Sequence, residues 1–159
     1  MEYPALGFNF KVTATDADLP FSFMPAAESF FQSVSGISVS NGDVKIVSGG
    51  DNFRQFKLPT KTTYPDFVLK GGIVHKNSSL SKWCESILTK ESMRYSIKRK
   101  TINVFLMDTE LKSHLMSWTF YNCIPSSIEI DEFDAKENKI VIETLKISYS
   151  NYEKNINLI

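Results

Sequence analysis

Histidine and cysteine are scarce in this chain. It has two of each, His75 and His114, Cys84 and Cys123, and each stands isolated in sequence. A zinc site would need further Cys, His or carboxylate ligands at workable spacing, and none accompanies them. The cysteines read as buried free thiols rather than a disulfide, since nothing marks the chain as secreted. No apolar run reaches membrane-spanning length, and Met1-Glu2-Tyr3-Pro4 lacks the basic and apolar regions of a signal peptide. The expectation is cytoplasmic assembly without membrane insertion. An excess of charge is also missing, with 18 basic against 18 acidic side chains. That argues against a globally basic nucleic-acid binder and removes one barrier to self-association.

The residues of several common chemistries are likewise wanting. No serine sits in a nucleophile elbow, and Ser48-Gly49-Gly50 is followed by no helix that could cradle a phosphate. Asp16-x-Asp18 lacks the glycine and distal glutamate of a calcium loop and reads as a turn acid. Glu129 and Asp131 alternate with Ile128 and Ile130, the pattern of a wet sheet face rather than an acid–base pair, and Glu132 and Asp134 continue that acidic run. Lys98-Arg99-Lys100, with Arg94 nearby, has only Tyr95 as an adjacent aromatic, so it reads as a solvated strand face. The alternative for that cluster is the lining of a channel or intersubunit groove. No catalytic, metal or cofactor-binding residue is assigned, and the expectation is a non-enzyme without cofactor.

What the chain has in quantity is strand pattern. Phe8, Phe10 and Val12 alternate with polar residues. Leu19 to Glu28 reads as an ordered loop. Phe30 to Val47 reads as a β-hairpin with Asn41-Gly42 as its turn. Ser48 to Pro65 reads as the longest irregular stretch, yet it carries Phe53, Phe56, Leu58 and Tyr64, which a merely solvated loop would not need. Phe67 and Leu69 resume a strand that Gly71-Gly72 ends or kinks. One amphipathic helix follows, capped by Asn77, Ser78 or Ser79, with Leu80, Trp83, Cys84, Ile87 and Leu88 on one face.

The remainder alternates again. Arg94 to Met107 reads as a strand, Asp108-Thr109-Glu110 as a turn, and Leu115 to Cys123 as the return. Another strand starts at Ile128 and Ile130, and Phe133 to Asn138 turns into the last. In that last strand the apolar parity changes between Ile142 and Leu145, which predicts a β-bulge near Glu143-Thr144. Asn151 to Ile159 reads as a short exposed or docking extension. The whole is a single domain, residues 1–159, with an extended interaction loop at about 48–65. Its class is mainly β: a small antiparallel β-barrel or split sandwich with one flanking amphipathic helix.

The same residues carry a resemblance. Trp118-x-Phe120-x-Asn122-Cys123-x-Pro125, then Ala135-x-x-Asn138 leading into Ile142-Glu143-Thr144-Leu145-x-Ile147-x-Tyr149, resembles the C-terminal half of contractile phage tail tube proteins. The earlier half agrees at Phe31 to Ile37, Gly49-Gly50, Lys57-Leu58-Pro59 and Leu69-Lys70-Gly71-Gly72, with the Trp83 helix and Asp108 completing the series. The match runs in order from about Phe8 to Tyr149.

The resemblance implies a β-barrel with a flanking helix, in hexameric rings that stack into a hollow inner tube. Implied partners are further copies of the chain, a contractile sheath protein, baseplate and cap proteins, and cargo in the lumen. The hairpin and long loop are, in that family, the parts that reach neighbouring subunits. They correspond here to Ser48, Gly49, Gly50, Asp51, Asn52, Phe53, Arg54, Phe56, Lys57, Leu58, Pro59 and Tyr64. Two alternatives stand beside it: a tube-initiating or tube-terminating ring, and a small ligand-binding β-barrel whose pocket Phe21, Phe23, Phe30 and Phe31 would line.

Overall fold

The two-residue alternation is realised as strands whose apolar side chains meet in one interior. The computed structural model describes residues 10–16, 28–46, 50, 53–54, 56–73, 79–89, 97–108, 110, 112–130 and 142–156. In chain order these form β1 (Phe10–Asp16), β2 (Glu28–Phe31), β3 (Ser33–Ser35), β4 (Ser40–Ile46), β5 (Phe56–Thr63), β6 (Phe67–Ile73), α1 (Ser79–Leu88), β7 (Lys100–Met107), β8 (His114–Ile130), β9 (Ile142–Ser148) and β10 (Asn151–Ile156). Val12, Phe67, Leu69, Ile102, Val104, Phe120, Leu145 and Ile147 are buried on five strands, at alternate positions where one strand carries two of them.

The main sheet has the order β2-β1-β7-β8-β9-β6-β3, with β10 also pairing β8. Every ladder in it is antiparallel. No ladder joins β2 to β3, so the sheet is open and the barrel alternative is not realised. Its two ends are nonetheless successive pieces of chain separated by Gln32, whose N–H donates to the Lys70 carbonyl at 3.1 Å. The sheet therefore curls around a shared interior without closing.

α1 covers that interior. Leu80, Trp83 and Cys84 are buried in the core and Ile87 packs against it, as the helical spacing predicts. The indole N–H of Trp83 donates to the Lys98 carbonyl at 3.0 Å, so a buried polar group is satisfied by backbone. Leu88 ends the helix half-buried. Of the three cap candidates, Asn77 and Ser78 lie outside the described residues.

Several expectations are corrected. Asn41-Gly42 is not a hairpin turn: both lie inside β4, which pairs with β5 and shifts register between Asn41 and Asp43. The glycine is absorbed by a bulge, and the true partner strand lies further on, where a Thr-rich run can bond across the pair. Of the strand expected from Arg94, residues 94–96 lie outside the described residues and β7 starts at Lys100, because Lys98 is spent on Trp83 and Ile97 is 48% exposed. The two strands expected at Leu115–Cys123 and from Ile128 are one strand of 17 residues. Pro125 does not interrupt it. It lies past the last β7 pair, Lys100 with Cys123, and beside a register shift, where a missing N–H is tolerated. The tail docks as a strand: β10 pairs with Met116–Tyr121 of β8.

The bulge expected near Glu143-Thr144 sits opposite that dipeptide, on β6. Lys70 pairs with Thr144 and Gly72 with Glu143, leaving Gly71 as the additional residue with φ 86°. Glu143 thus keeps the inward parity of Leu145 and Ile147 and is only 3% exposed. Of the loop expected at Leu19–Glu28, Glu28 opens β2 and the rest lies outside the described residues, as does the turn expected at Phe133–Asn138.

Candidate assembly surfaces

The second half of the expected interaction loop, Phe56–Thr63, turns out to be a strand. β4 and β5 form a two-stranded sheet of their own, with no ladder to the main sheet. Phe56, Lys57, Leu58 and Pro59 pair with Ile46, Lys45, Val44 and Asp43. The sequence missed this because prolines, threonines and mixed charges are poor strand signals. Here short polar side chains bond across the pair instead. Ser40 Oγ and Thr63 Oγ1 lie 2.8 Å apart, the Thr62 hydroxyl donates to Asn41 Oδ1 at 2.8 Å, and the Thr60 hydroxyl donates to the Gly42 carbonyl.

The remaining loop candidates divide. Gly50 is a turn residue with φ 96°, and Phe53 and Arg54 are exposed, Phe53 at 98%. Ser48, Gly49, Asp51 and Asn52 lie outside the described residues. Leu58 is 51% exposed, and Val39, just before β4, is exposed as well. A ribbon of two strands is marginal by itself in water, since it buries little apolar surface.

Aromatic rings anchor its base. Tyr64, directly after β5, meets Tyr149 at 5.7 Å and Tyr152 at 5.8 Å between centroids. The Tyr149 hydroxyl donates to the Ser38 carbonyl at 3.4 Å, just ahead of β4, and burial pushes its pKa up to about 12. Both strands of the ribbon thus leave one aromatic cluster. A single parity of Tyr149 with Leu145 and Ile147 was the only sequence signal for it.

The second structural feature is a long antiparallel pair. β9 and β10 together line one side of β8 along its length, β9 on Ile124–Ile130 and β10 on Met116–Tyr121. Asn122 sits at the changeover with φ 53°, a conformation that asparagine tolerates better than most residues. Its side-chain amide donates to Ser150 Oγ at 3.1 Å, and the Ser150 N–H donates to the Tyr121 carbonyl at 3.0 Å. The Asn-Cys step of the motif is thus a backbone requirement at a joint.

Among the described residues the titratable groups gather into no reactive centre. Burial pushes both Cys84 and Cys123 up to about 12, which leaves no thiolate nucleophile. Among the described residues no three potential ligands gather around a metal position. His114 stacks edge-on with Phe105 at 5.1 Å, and His75 lies outside the described residues. Asp16 ends β1 rather than a turn and faces Lys100 at 3.5 Å. Lys98 and Arg99 are exposed but precede β7, so only Lys100 of the basic cluster is on a strand. Glu143 accepts a 2.7 Å hydrogen bond from Ser81 in the first turn of α1, a turn without an acid of its own. Its pKa is raised by burial, lowered by that bond and raised again by Glu85. This carboxylate ties helix to sheet. Phe31 is buried in the core while Phe30 falls on the opposite face beside Lys11, so they line no common pocket. Phe21 and Phe23 lie outside the described residues.

The family model for the T4-like virus tail tube protein gp19 matches residues 6–153. The chain belongs to that family. It is a structural protein of the tail tube kind, and its open antiparallel sheet with one flanking helix is the tail tube fold. A chain of the anti-feeding prophage baseplate is similar with TM-score 0.74 and 24% identity, over 98% of this chain and 97% of that one. A chain of the PVC extracellular contractile injection system sheath–tube complex in the extended state gives 0.68 and 24%, over 98% and 94%. A chain of the PVC sheath/tube terminator gives 0.66 and 25%, over 97% and 98%. No curated protein matches the tail tube chain closely enough in sequence to count as a relative.

Proposed function

We propose that copies of this chain form hexameric rings that stack into the inner tube of a contractile injection particle. A sheath protein surrounds the tube, baseplate and cap proteins close its ends, and its lumen holds cargo. The protein works by assembly rather than by catalysis. The carrying observation is the β4–β5 ribbon, a two-stranded sheet with exposed Leu58 and no ladder to the main sheet. Such an element is finished when a neighbouring copy covers it. A repeated head-to-tail contact closes into a ring, and a second contact of another kind stacks rings without closing. Tail tube family membership and the likeness to sheath–tube structures support the same reading.

Electron microscopy of the purified chain tests it. Rings or cylinders are the expected result, and a uniform monomer at every concentration would sink the proposal. A second reading keeps the fold but makes the chain a ring at the baseplate or the terminus, which the similarity to baseplate and terminator chains favours. Long polymers support the main tube, and single rings that never elongate support the second reading. No helix of the described residues is long and apolar enough to cross a membrane.

A further inference from the structure

Asn41-Gly42 is the one Asn-Gly step in the sequence. Glycine has no side chain to shield its main-chain nitrogen from the carbonyl carbon of the preceding asparagine side chain. Both residues are exposed. They lie in β4, where the ladder passes from the Asn41–Thr62 pair to the Asp43–Pro59 pair through a register shift. Pro59 has no N–H to give, so main-chain pairing is thinnest beside Gly42. Two hydroxyls stand in for it. Thr62 donates to Asn41 Oδ1 at 2.8 Å, and Thr60 donates to the Gly42 carbonyl. No other described strand flanks β4 or β5, and a ribbon of that size opens readily.

We propose that Asn41 is a site of spontaneous deamidation, that opening of the β4–β5 ribbon admits the reaction, and that assembly protects against it. The protection rests on the tube reading; the site and its gate do not.

The chemistry needs only water. The Gly42 nitrogen loses its proton to water or hydroxide and bonds to Asn41 Cγ. The Cγ–Nδ2 bond breaks and ammonia leaves, which closes a five-membered imide. Water then adds to one of the two imide carbonyls. Opening at Cγ leaves an ordinary aspartyl residue. Opening at the main-chain carbonyl leaves an isoaspartyl residue, with the chain routed through Cβ and Cγ. One water enters and one ammonia departs, and nothing is oxidised or reduced.

The closed ribbon opposes ring closure in two ways. The imide requires an Asn41 ψ far from the extended range of a strand. The Thr62 hydroxyl also holds the side-chain amide toward β5. Opening removes both restraints together, so the rate follows the open fraction. The product then damages the element that gates it. An isoaspartyl residue adds one atom to the main chain, so Asp43–Ile46 no longer fall opposite Pro59–Phe56. A copy left alone loses its ribbon in this way, while a copy whose ribbon is covered by a neighbour keeps it.

The full chain, unassembled and assembled, is held at mildly alkaline pH, and position 41 is read by peptide mapping and by isoaspartyl methyltransferase. A short peptide spanning Val39–Val44 gives the rate of the open chain. The peptide should convert fastest and the unassembled chain more slowly, with the assembled chain slower again by about tenfold or more. Thr62→Ala should speed conversion in the unassembled chain, and Asn41→Gln should abolish it. Copies carrying the isoaspartyl residue should be left out of new rings. Asn41→Asp keeps the chain length and an acceptor for Thr62, so that variant should still enter them.

An intact Asn41 in the aged unassembled chain, beside a converted peptide, would overturn the site. An unchanged rate in Thr62→Ala would overturn the gate. Equal rates in assembled and unassembled protein, with rings visible, would overturn the protection and leave the tube reading standing. A chain that never forms rings would remove the tube reading and the protection together, and the rates in the free chain would still decide the site and its gate.

Discussion

The rings of Phe67 and Phe120 stack with centroids 4.1 Å apart and planes 24° from parallel, although β9 stands between their strands in the sheet. Both side chains are fully buried, and Tyr149 closes on them at 5.5 and 4.9 Å. The contact is made across the interior, so it holds the curl of the sheet rather than a ladder. A double-mutant cycle with Phe67→Leu and Phe120→Leu should show a coupling of about 0.5–1.5 kcal/mol in urea unfolding. Additive losses would mean that the stack contributes area alone.

Trp83 joins the helix to the entry of β7 through its indole N–H and lies under the Lys100 ammonium, 5.9 Å from the ring. Trp83→Ala should cost about 3–5 kcal/mol through cavity formation. Trp83→Phe keeps most of the volume but strands the Lys98 carbonyl, and about 1 kcal/mol should be lost. Equal losses in the two variants would show that packing volume is not what the site requires.

Glu143 gives a pH dependence of definite sign. Its folded pKa is raised above the ordinary 4.5, chiefly by burial, so the folded state holds the proton more tightly than the unfolded chain. The stabilisation is complete below the ordinary value and is lost as pH rises through the raised one. Glu143→Gln should therefore gain stability relative to wild type as pH rises across that window, and the difference should level off above it. Thermal unfolding at a series of pH values measures it. A difference that ran the opposite way would mean that the ionised carboxylate is the favoured form.

Gly36 has φ 81°, and a Cβ there would sit 2.6 Å from the Asp66 carbonyl oxygen. Gly71 has φ 86°, and a Cβ there would sit 2.6 Å from the Cβ of Gln32, an atom that side-chain rotation does not move. Gly36→Ala and Gly71→Ala should therefore each cost more than the about 1–2 kcal/mol of a left-handed backbone, because backbone must move in both. Unfolding midpoints equal to that of the wild type would remove the steric argument.

Assembly and folding should separate at the ribbon. Phe53→Asp and Leu58→Asp alter exposed side chains, so fold stability should change by no more than about 0.5 kcal/mol while ring stacking is lost. Amide exchange over Phe56–Thr63 should slow in the assembled form by about tenfold or more, and unchanged protection would take the ribbon out of the interface.

The sequence by itself determined the elements with strong periodicity: β1, the β6 strand from Phe67, the helix on Leu80, Trp83 and Cys84, the Asp108 turn and the strand through Leu145 and Ile147. Asp108 is a case where local chemistry suffices, since its carboxylate accepts from the Lys112 N–H at 3.0 Å and the Ser113 hydroxyl at 2.7 Å. The ordered motifs also carried the family. What only the tertiary structure decided were features whose cause lies far along the chain. β5 is a strand because Ser40, Asn41 and Gly42 offer partners to Thr60, Thr62 and Thr63, and no period-two apolar pattern announces that. Glu143 occupies an inward position because Ser81, 62 residues away, satisfies it. The tail became β10 because β8 continues straight past its joint and leaves Met116–Tyr121 open to pairing. Periodicity reports which side of a strand faces oil. It does not report which strand lies alongside, and that choice fixes the edges on which assembly depends.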